Sequence, residues 1–407
     1  MPTTSPPGSP SAERRSAQML RDFLATEAGG AVVLLVAAVL ALVWANSPFS
    51  DTYSGLWETK LTLGSGDFAL TEDLRHWVND GLMAIFFFVV GLEIKRELSI
   101  GELRDPRAVA LPVVAALAGL ALPALLYLAV TAGTEGARGW GIPVATDIAF
   151  ALGVVALFGR RLPSGLKLAL LTIAIIDDIG AILIIAVAYS QGISTGWLAV
   201  AVAALMLIPV LRLLRFASPW WYVPVAVVAW VATLESGIHA TIAGVALGLL
   251  TPAEPFRGRP VLEELEHRLH PVSSYVVLPL FALANAGVRL SGDTLTAAVS
   301  SAITWGIVLG LVVGKTVGIG GAITAMVRSG RGQLPPHVTI PQGRSVAIVA
   351  GIGFTVSLFI ADLSFTGTQL EEAKIGVIAA SLLAGIFGAL ALRRAARTPT
   401  ADTEPAG

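Results

Sequence analysis

The sequence predicts an all-α membrane protein of about twelve transmembrane helices with a small extracytoplasmic β-hairpin. Composition, the count of apolar stretches and the placement of basic residues lead there. Of 407 residues, 55% are hydrophobic and only 14% charged, where a soluble domain of this size carries about a quarter charged. Most of the chain therefore lies in lipid or inside a large helical bundle.

A membrane-spanning helix needs roughly 20 mostly apolar residues. Twelve stretches qualify, at about 24–45, 76–94, 109–131, 139–158, 166–189, 195–214, 219–235, 237–251, 272–288, 303–325, 345–361 and 374–392. The seventh and eighth are short and meet at Glu235–Gly237. Between the first two, residues 57–70 alternate polar and apolar around Gly64-Ser65-Gly66, the pattern of a hairpin outside the lipid. Residues 1–20 are rich in Pro and Ser. They read as a disordered cytoplasmic tail rather than a cleaved signal peptide. Residues 395–407 read the same way, leaving 21–394 as one domain. Trp44, Trp77, Trp220 and Trp221 near span ends suit interfacial anchors.

Basic residues orient the spans, because cytoplasmic loops carry the excess of Lys and Arg. With both termini inside, 21 of the 27 basic residues fall inside and five fall outside. Only Lys315 belongs to neither side. The expected location is the inner membrane.

Helices three to five (109–189) and ten to twelve (303–392) start from opposite sides, which predicts two inverted three-helix repeats. The middle member of each trio is interrupted. Helix four carries Gly139-Trp140-Gly141-Ile142-Pro143 followed by Thr146-Asp147, and helix eleven carries Gly351-Ile352-Gly353-Phe354-Thr355. Glycine and proline weaken a helix mid-span, and irregular backbone at membrane depth survives only where protein or water covers it. Interrupted spans at matching places point to a transporter's substrate site. The bland alternative is two harmless kinks.

Charges at the same depth weigh against kinks. Asp177 and Asp178 sit at the centre of helix five with apolar runs on both sides. A charge there costs at least a few kcal/mol, and two adjacent acids are harder still to keep ionised together. Neighbours on a helix point about 100° apart, so both can border one cavity without touching. A pair capping a helix at a loop is the alternative, and the flanking apolar runs disfavour it. Lys315 lies mid-span in helix ten, too deep to snorkel to the interface, and the aspartate pair is its obvious partner. Asp147 can offset the positive N-terminal end of a broken half-helix, and Lys315 the opposite ends. The Thr146 hydroxyl, backbone carbonyls and carboxylates are hard oxygen ligands suited to hard cations.

Other chemistry is disfavoured. There is no cysteine, and the net charge of -1 gives no argument for nucleic acid. An intramembrane aspartyl protease needs two facing carboxylates sharing a proton, whereas these are adjacent on one helix beside a lysine. An organic-anion carrier would need more polar residues at midspan. A passive cation channel is separated from an exchanger by transport against a gradient.

The chain resembles the NhaA-type sodium/proton antiporters over nearly its whole length. The matching stretches are Asn79-Asp80-Gly-Leu-Met83, Gly91-Leu-Glu-Ile-Lys-Arg-Glu97, Ala145-Thr-Asp-Ile-Ala-Phe-Ala-Leu-Gly153, Ala174-Ile-Ile-Asp-Asp-Ile-Gly-Ala181, Ser236-Gly-Ile-His-Ala-Thr241, residues 278–287, Gly314-Lys315 and Gly351-Ile-Gly-Phe-Thr355. The resemblance implies exchange of cytoplasmic Na+ or Li+ for external H+, with no cofactor and activation at alkaline pH. It also implies two H+ per Na+ and therefore electrogenic exchange, because the members with an Asp-Asp pair are electrogenic. Asp177 and Asp178 match the cation- and proton-binding pair, Thr146 and Asp147 the interrupted-helix site, and Lys315 the lysine paired with the aspartates. Gly351 and Gly353 form the broken-helix backbone. Asp80, Glu93 and Glu97 match acids near the two mouths, though Glu93 and Glu97 also fit a solvated charge cluster. Glu266 and His267 match a segment tied to pH activation, with Glu263-Glu264 standing where basic residues are expected. His239 reads either as a packed core histidine in a helix or as a pH-tuning group. The hairpin, at 58–70, predicts a homodimer, since a two-stranded ribbon is marginal alone and its edge invites a partner strand.

Overall fold

A computed structural model describes residues 12–64, 70–104, 106–158, 162–190, 192–216 and 218–397. The expected tail residues 1–11 and 398–407, the hairpin turn at 65–69 and the basic pair Arg160-Arg161 lie outside them.

Helix α1 (Ala12–Ala45) begins inside the segment expected to be a disordered tail, eight residues before its predicted end at 20. The Pro/Ser cluster stops at Pro10, and the stretch after it is rich in the helix formers Ala, Glu, Arg, Gln, Met and Leu. After α2 (Ser50–Trp57) comes the hairpin of β1 (Lys60–Leu63) and β2 (Leu70–Asp73). The register runs from Lys60 opposite Asp73 to Leu63 opposite Leu70. The hairpin is thus displaced three residues toward the C-terminus from the expected 57–70. Trp57 is buried at the end of a helix rather than starting a strand. Trp77 Nε1 donates to Leu61 O at 3.0 Å and ties the ribbon to the bundle.

One apolar helix, Leu74–Ser99, follows. It comprises α3 (Leu74–His76), a π-helical segment Trp77–Leu82 and α4 (Met83–Ser99). Next comes α5 (Pro106–Thr131). The fourth apolar segment is broken: a 3-10 helix, Glu135–Val144, meets α6 (Ile148–Ala156) at a bend of 44°. Then come α7 (Ser164–Ala188), α8 (Thr195–Leu213), and the two short apolar helices α9 (Tyr222–Glu235) and α10 (Thr241–Leu250). Helix α11 (Val261–Val272) runs through a π-helical segment, Ser273–Val277, into α12 (Leu278–Asn285). The short α13 (Gly292–Ser300) precedes α14 (Ala302–Val308), a third π-helical segment Leu309–Gly314, and α15 (Lys315–Arg328). A second broken pair, α16 (Ile340–Val349) and α17 (Phe354–Ser364), bends by 43°. The last helix is α18 (Gly367–Ala395).

Seven helices among the described residues are long and apolar enough to cross a membrane, or nine if each bent pair is one span. Helices α1, α8 and α18 carry much of the exposed apolar surface (Val32, Val43, Met206, Leu213, Leu382), as a lipid-facing ring requires. The core is closed by small residues. Gly310, Gly314 and Gly318 recur every fourth residue against α5, where a Cβ at Gly314 would sit 2.8 Å from Pro123 Cα. That close approach draws the Lys315 helix against the bundle.

Candidate functional site

The two breaks lie against each other. Asp147 N donates to Ile352 O at 2.6 Å, joining the unwound stretch of one span to that of the other. Glycine is needed there, since a Cβ on Gly351 would meet Leu311 O at 2.5 Å and one on Gly353 would come 2.2 Å from Ser357 Oγ. Two half-helices, α6 and α17, begin at the crossing with free N–H groups. Asp147 serves both. Its Oδ1 accepts from Phe150 N at 3.0 Å. Its Oδ2 accepts from Thr355 N at 2.9 Å and Thr355 Oγ1 at 2.7 Å. A carboxylate so placed stands at the positive N-terminal ends of both half-helices.

Asp177 and Asp178 are buried in α7, 0% and 4% exposed. Asp177 Oδ2 takes Lys315 Nζ at 2.6 Å, with both side chains sealed from solvent. Thr146 Oγ1 lies 2.8 Å from the same oxygen and 2.9 Å from Ala350 O, the carbonyl end of α16, and its single proton serves one of them at a time. The hydrogen bond of Lys315 goes to Asp177, and none from it to a helix C-terminus is seen among the described residues.

The two aspartates do not border one cavity, as the sequence suggested they could. About 100° of helix rotation separates them. Asp177 faces Lys315, while Asp178 faces a cavity of about 40 Å³, room for about three waters. Thr146, Asp147, Glu93, Ser273, Ser274 and Thr355 also line it. Asp178 Oδ1 and Asp177 Oδ1 are buried without a hydrogen-bond partner, and such atoms mark places where water or an ion belongs.

At the Glu93 end of this cavity the two acids are buried, while Lys95 and Arg96 are partly exposed. Glu93 and Glu97 are 7% and 9% exposed. His270 Nδ1 lies 3.3 Å from Glu93 Oε1. Arg96 pairs with Glu266 and, at 3.2 Å, with Glu97. Glu266, on the polar helix α11 outside the apolar spans, is pushed up to about 7, first by burial and then by Glu93 and Glu97, with Arg96 and His270 opposing. His267 stands apart, exposed on the other face of α11. The histidine beside Glu93 is His270, one helical turn on from Glu266 and on the same face.

The match to a known family supplies what geometry alone does not. The family model described as Na+/H+ antiporter 1 covers residues 21–392. The chain belongs to that family. Relatives include the Na(+)/H(+) antiporter NhaA 3 of Frankia alni, 46% identical over 93% of this chain and 89% of the relative. The NhaA antiporter of Bordetella parapertussis is 46% identical over 94% and 98%, and that of Rhodospirillum rubrum 46% over 95% and 99%. Antiporters are transport proteins, not enzymes.

At the hairpin end of this antiporter-family chain lie the remaining expected residues. Asp80 sits in the first π-helical segment, with His239 Nδ1 3.7 Å from its Oδ1. His239 is in the turn between α9 and α10, not within a helix, and its ring meets Phe359 edge-on at 5.4 Å. Sequence reasoning missed three residues beside them. Asn79 Nδ2 donates to Asp362 Oδ2 at 2.7 Å, and Asn285 Nδ2 donates to Asn79 Oδ1 at 2.8 Å. Asp362 carried a usable signal, a lone acid in an apolar helix. His270, Ser273 and Ser274 were also missed. Nothing in local sequence separates His270 from His267 except the face each occupies.

Proposed function

We propose that this protein is a secondary transporter exchanging cytoplasmic Na+ or Li+ for external H+, electrogenic, activated at alkaline pH, and serving sodium and pH homeostasis. The observation that carries the reading is the division of labour between adjacent acids: Asp178 faces the cavity, and Asp177 is held by Lys315. Sodium and protons are substrates, and no resident cofactor is invoked.

Protons and sodium compete for the same oxygens. With Asp178 protonated and Asp177 paired to Lys315, the site is locally neutral. Sodium entering past Glu93 displaces the Asp178 proton, with Thr146 and water as further hard ligands. If Lys315 also loses its proton, two H+ exchange for one Na+, and the sodium-bound site carries one net negative charge. The loaded forms differ by one charge, so exchange responds to membrane potential.

The reading takes all twelve stretches as spans, with both termini in the cytoplasm. The trios at 109–189 and 303–392 are inverted repeats meeting at the two breaks, and the Glu93 mouth is cytoplasmic. Opposite half-helix ends at a midplane site suit alternating access by one repeat rocking against the other. Pairing of β-hairpins between two copies makes a dimer, while each subunit keeps a whole site. The test is ion flux in proteoliposomes with an imposed pH gradient: wild type exchanges, and Asp178→Asn and Asp177→Asn do not. Full activity in either variant overturns the reading.

A further inference from the structure

Exchange at Asp178 makes no use of another polar group in this bundle, Asp362 with the buried Asn79 and Asn285. Asp362 lies on α17 seven residues beyond Thr355, about 10 Å along the helix toward the hairpin end. Its Oδ2 accepts from Asn79 Nδ2 at 2.7 Å. That amide cannot turn over freely. Asn285 Nδ2 donates both to Asn79 Oδ1 at 2.8 Å and to Phe281 O at 3.1 Å, so the Asn79 oxygen faces Asn285 and its NH2 faces Asp362. Both asparagines are buried. The π-helical segment Trp77–Leu82 presents Asn79 and Asp80 together, and π-bulges recur at functional sites. Asp362 stands within electrostatic reach of groups on three other elements: Asp80 from that segment, His239 from the α9–α10 turn and Lys374 from α18.

On α17, Phe359 lies between Thr355, which lines the Asp178 cavity, and Asp362. Phe359 packs on Phe87 and Phe281 at ring distances of 5.7 and 6.2 Å, all three buried. On the solvent side, a recess lined by Glu72, His76, Trp77 and Asp80 has a volume of about 10 Å³, space for at most about one water. A proton can pass through such a recess along water, whereas a hydrated sodium ion cannot.

We propose that Asp362 is a proton-binding relay on the outer access route. This rests on the exchange reading above. A hydronium ion in the recess gives its proton by way of Asp80 to Asp362 Oδ1, leaving water, while Asn79 holds Oδ2. When the phenylalanines part in the outward-facing state, that proton passes to the Asp178 carboxylate as sodium leaves it. No proton is gained or lost overall.

The test compares wild type, Asp362→Asn and Asp362→Glu in right-side-out and inside-out vesicles. Exchange rate is followed against pH at the hairpin face, with Na+ and pH at the other face held fixed. Asp362→Asn should lose roughly tenfold in rate at alkaline outer pH, the effect of about 1.4 kcal/mol on proton capture. Acidifying that face should recover the rate, Asp362→Glu should restore the profile, and the KM for Na+ at the opposite face should stay unchanged. If Asp362→Asn does not fold, Asn79→Ser keeps the carboxylate, removes its donor and should shift the outer pH midpoint alone. An outer pH profile identical to wild type, or equal losses at both faces, overturns the proposal. Wild type that exchanges nothing overturns the exchange reading instead.

Discussion

Asp147 joins the two broken spans through Thr355: one carboxylate oxygen takes both the backbone N–H and the hydroxyl of Thr355, and the other caps its own half-helix at Phe150. A single buried side chain thereby satisfies donors on two helices, which also meet where the Phe150 ring packs edge-on against Phe354 at 5.1 Å. Losing a cap costs about 1 kcal/mol, and a charge-assisted bond about 1.5–3 kcal/mol. Asp147→Ala should therefore lower stability by roughly 3 kcal/mol. Asp147→Asn keeps one acceptor and should lose about half of that. Thermal unfolding of the detergent-purified variants measures it, and an unchanged midpoint for Asp147→Ala would show that the crossing is held by other contacts.

Lys315 and Asp177 form a sealed pair. Breaking a buried pair from one side costs about 3–5 kcal/mol, because a lone charge stays behind, while removing both charges is far less costly. Lys315→Gln alone should be strongly destabilised. The double variant Lys315→Gln with Asp177→Asn should recover most of the stability and none of the two-for-one exchange. A double variant as unstable as the single would mean the two charges do not compensate one another.

The mouth cluster gives a pH prediction with a definite sign. The Glu266 carboxyl titrates near 7 in the folded protein against about 4.5 for the ordinary side chain. Below pH 4.5 both folded and unfolded chains hold the proton. Between 4.5 and 7 the folded chain still holds it, so stability falls as pH rises through that window. Glu266→Gln should flatten this part of the stability profile and change the pH at which exchange turns on. His270→Ala should also move that pH through Glu93, whereas His267→Ala, on the exposed face, should leave it in place. A shift with His267→Ala and none with His270→Ala would reverse the assignment.

The hairpin prediction concerns assembly. Residues 60–63 pair with 70–73 in a sheet of two strands, each with one outer edge. Replacing the ribbon by a short linker should give monomers by light scattering that still exchange sodium for protons, because each chain holds a complete Asp178 site. Dimers that persist after the deletion would place the contact between membrane helices.

Much of this arrangement was legible in the residues because membranes enforce strict rules. Asp177, Asp178, Lys315 and Asp147 stand out as charges in apolar runs, and Gly351 and Gly353 as breaks in a helix that lipid would not tolerate. Direction around a helix was not legible. The sequence put Asp177 and Asp178 mid-helix but could not say that only Asp178 lines the cavity, since that depends on where α15 packs. The same limit hid His270 behind His267. The π-helical segments beside Asn79, Ser273 and Lys315 left no sequence signature, because one inserted residue in a helix shifts faces without changing composition. The hairpin was displaced because Trp57 alternates like a strand residue yet is buried in α2.

The central claim is that Asp178, and not Asp177, meets the ion from the cavity while Lys315 supplies the second proton. Charge movement per sodium ion, measured in proteoliposomes under a series of imposed membrane potentials, tests it most directly. Wild type should reverse at the potential set by two H+ per Na+, Lys315→Gln should move toward one for one and lose voltage dependence, and Asp178→Asn should carry no current. Sodium-coupled current in Asp178→Asn, or a Lys315→Gln protein that reverses where wild type does, would contradict the account.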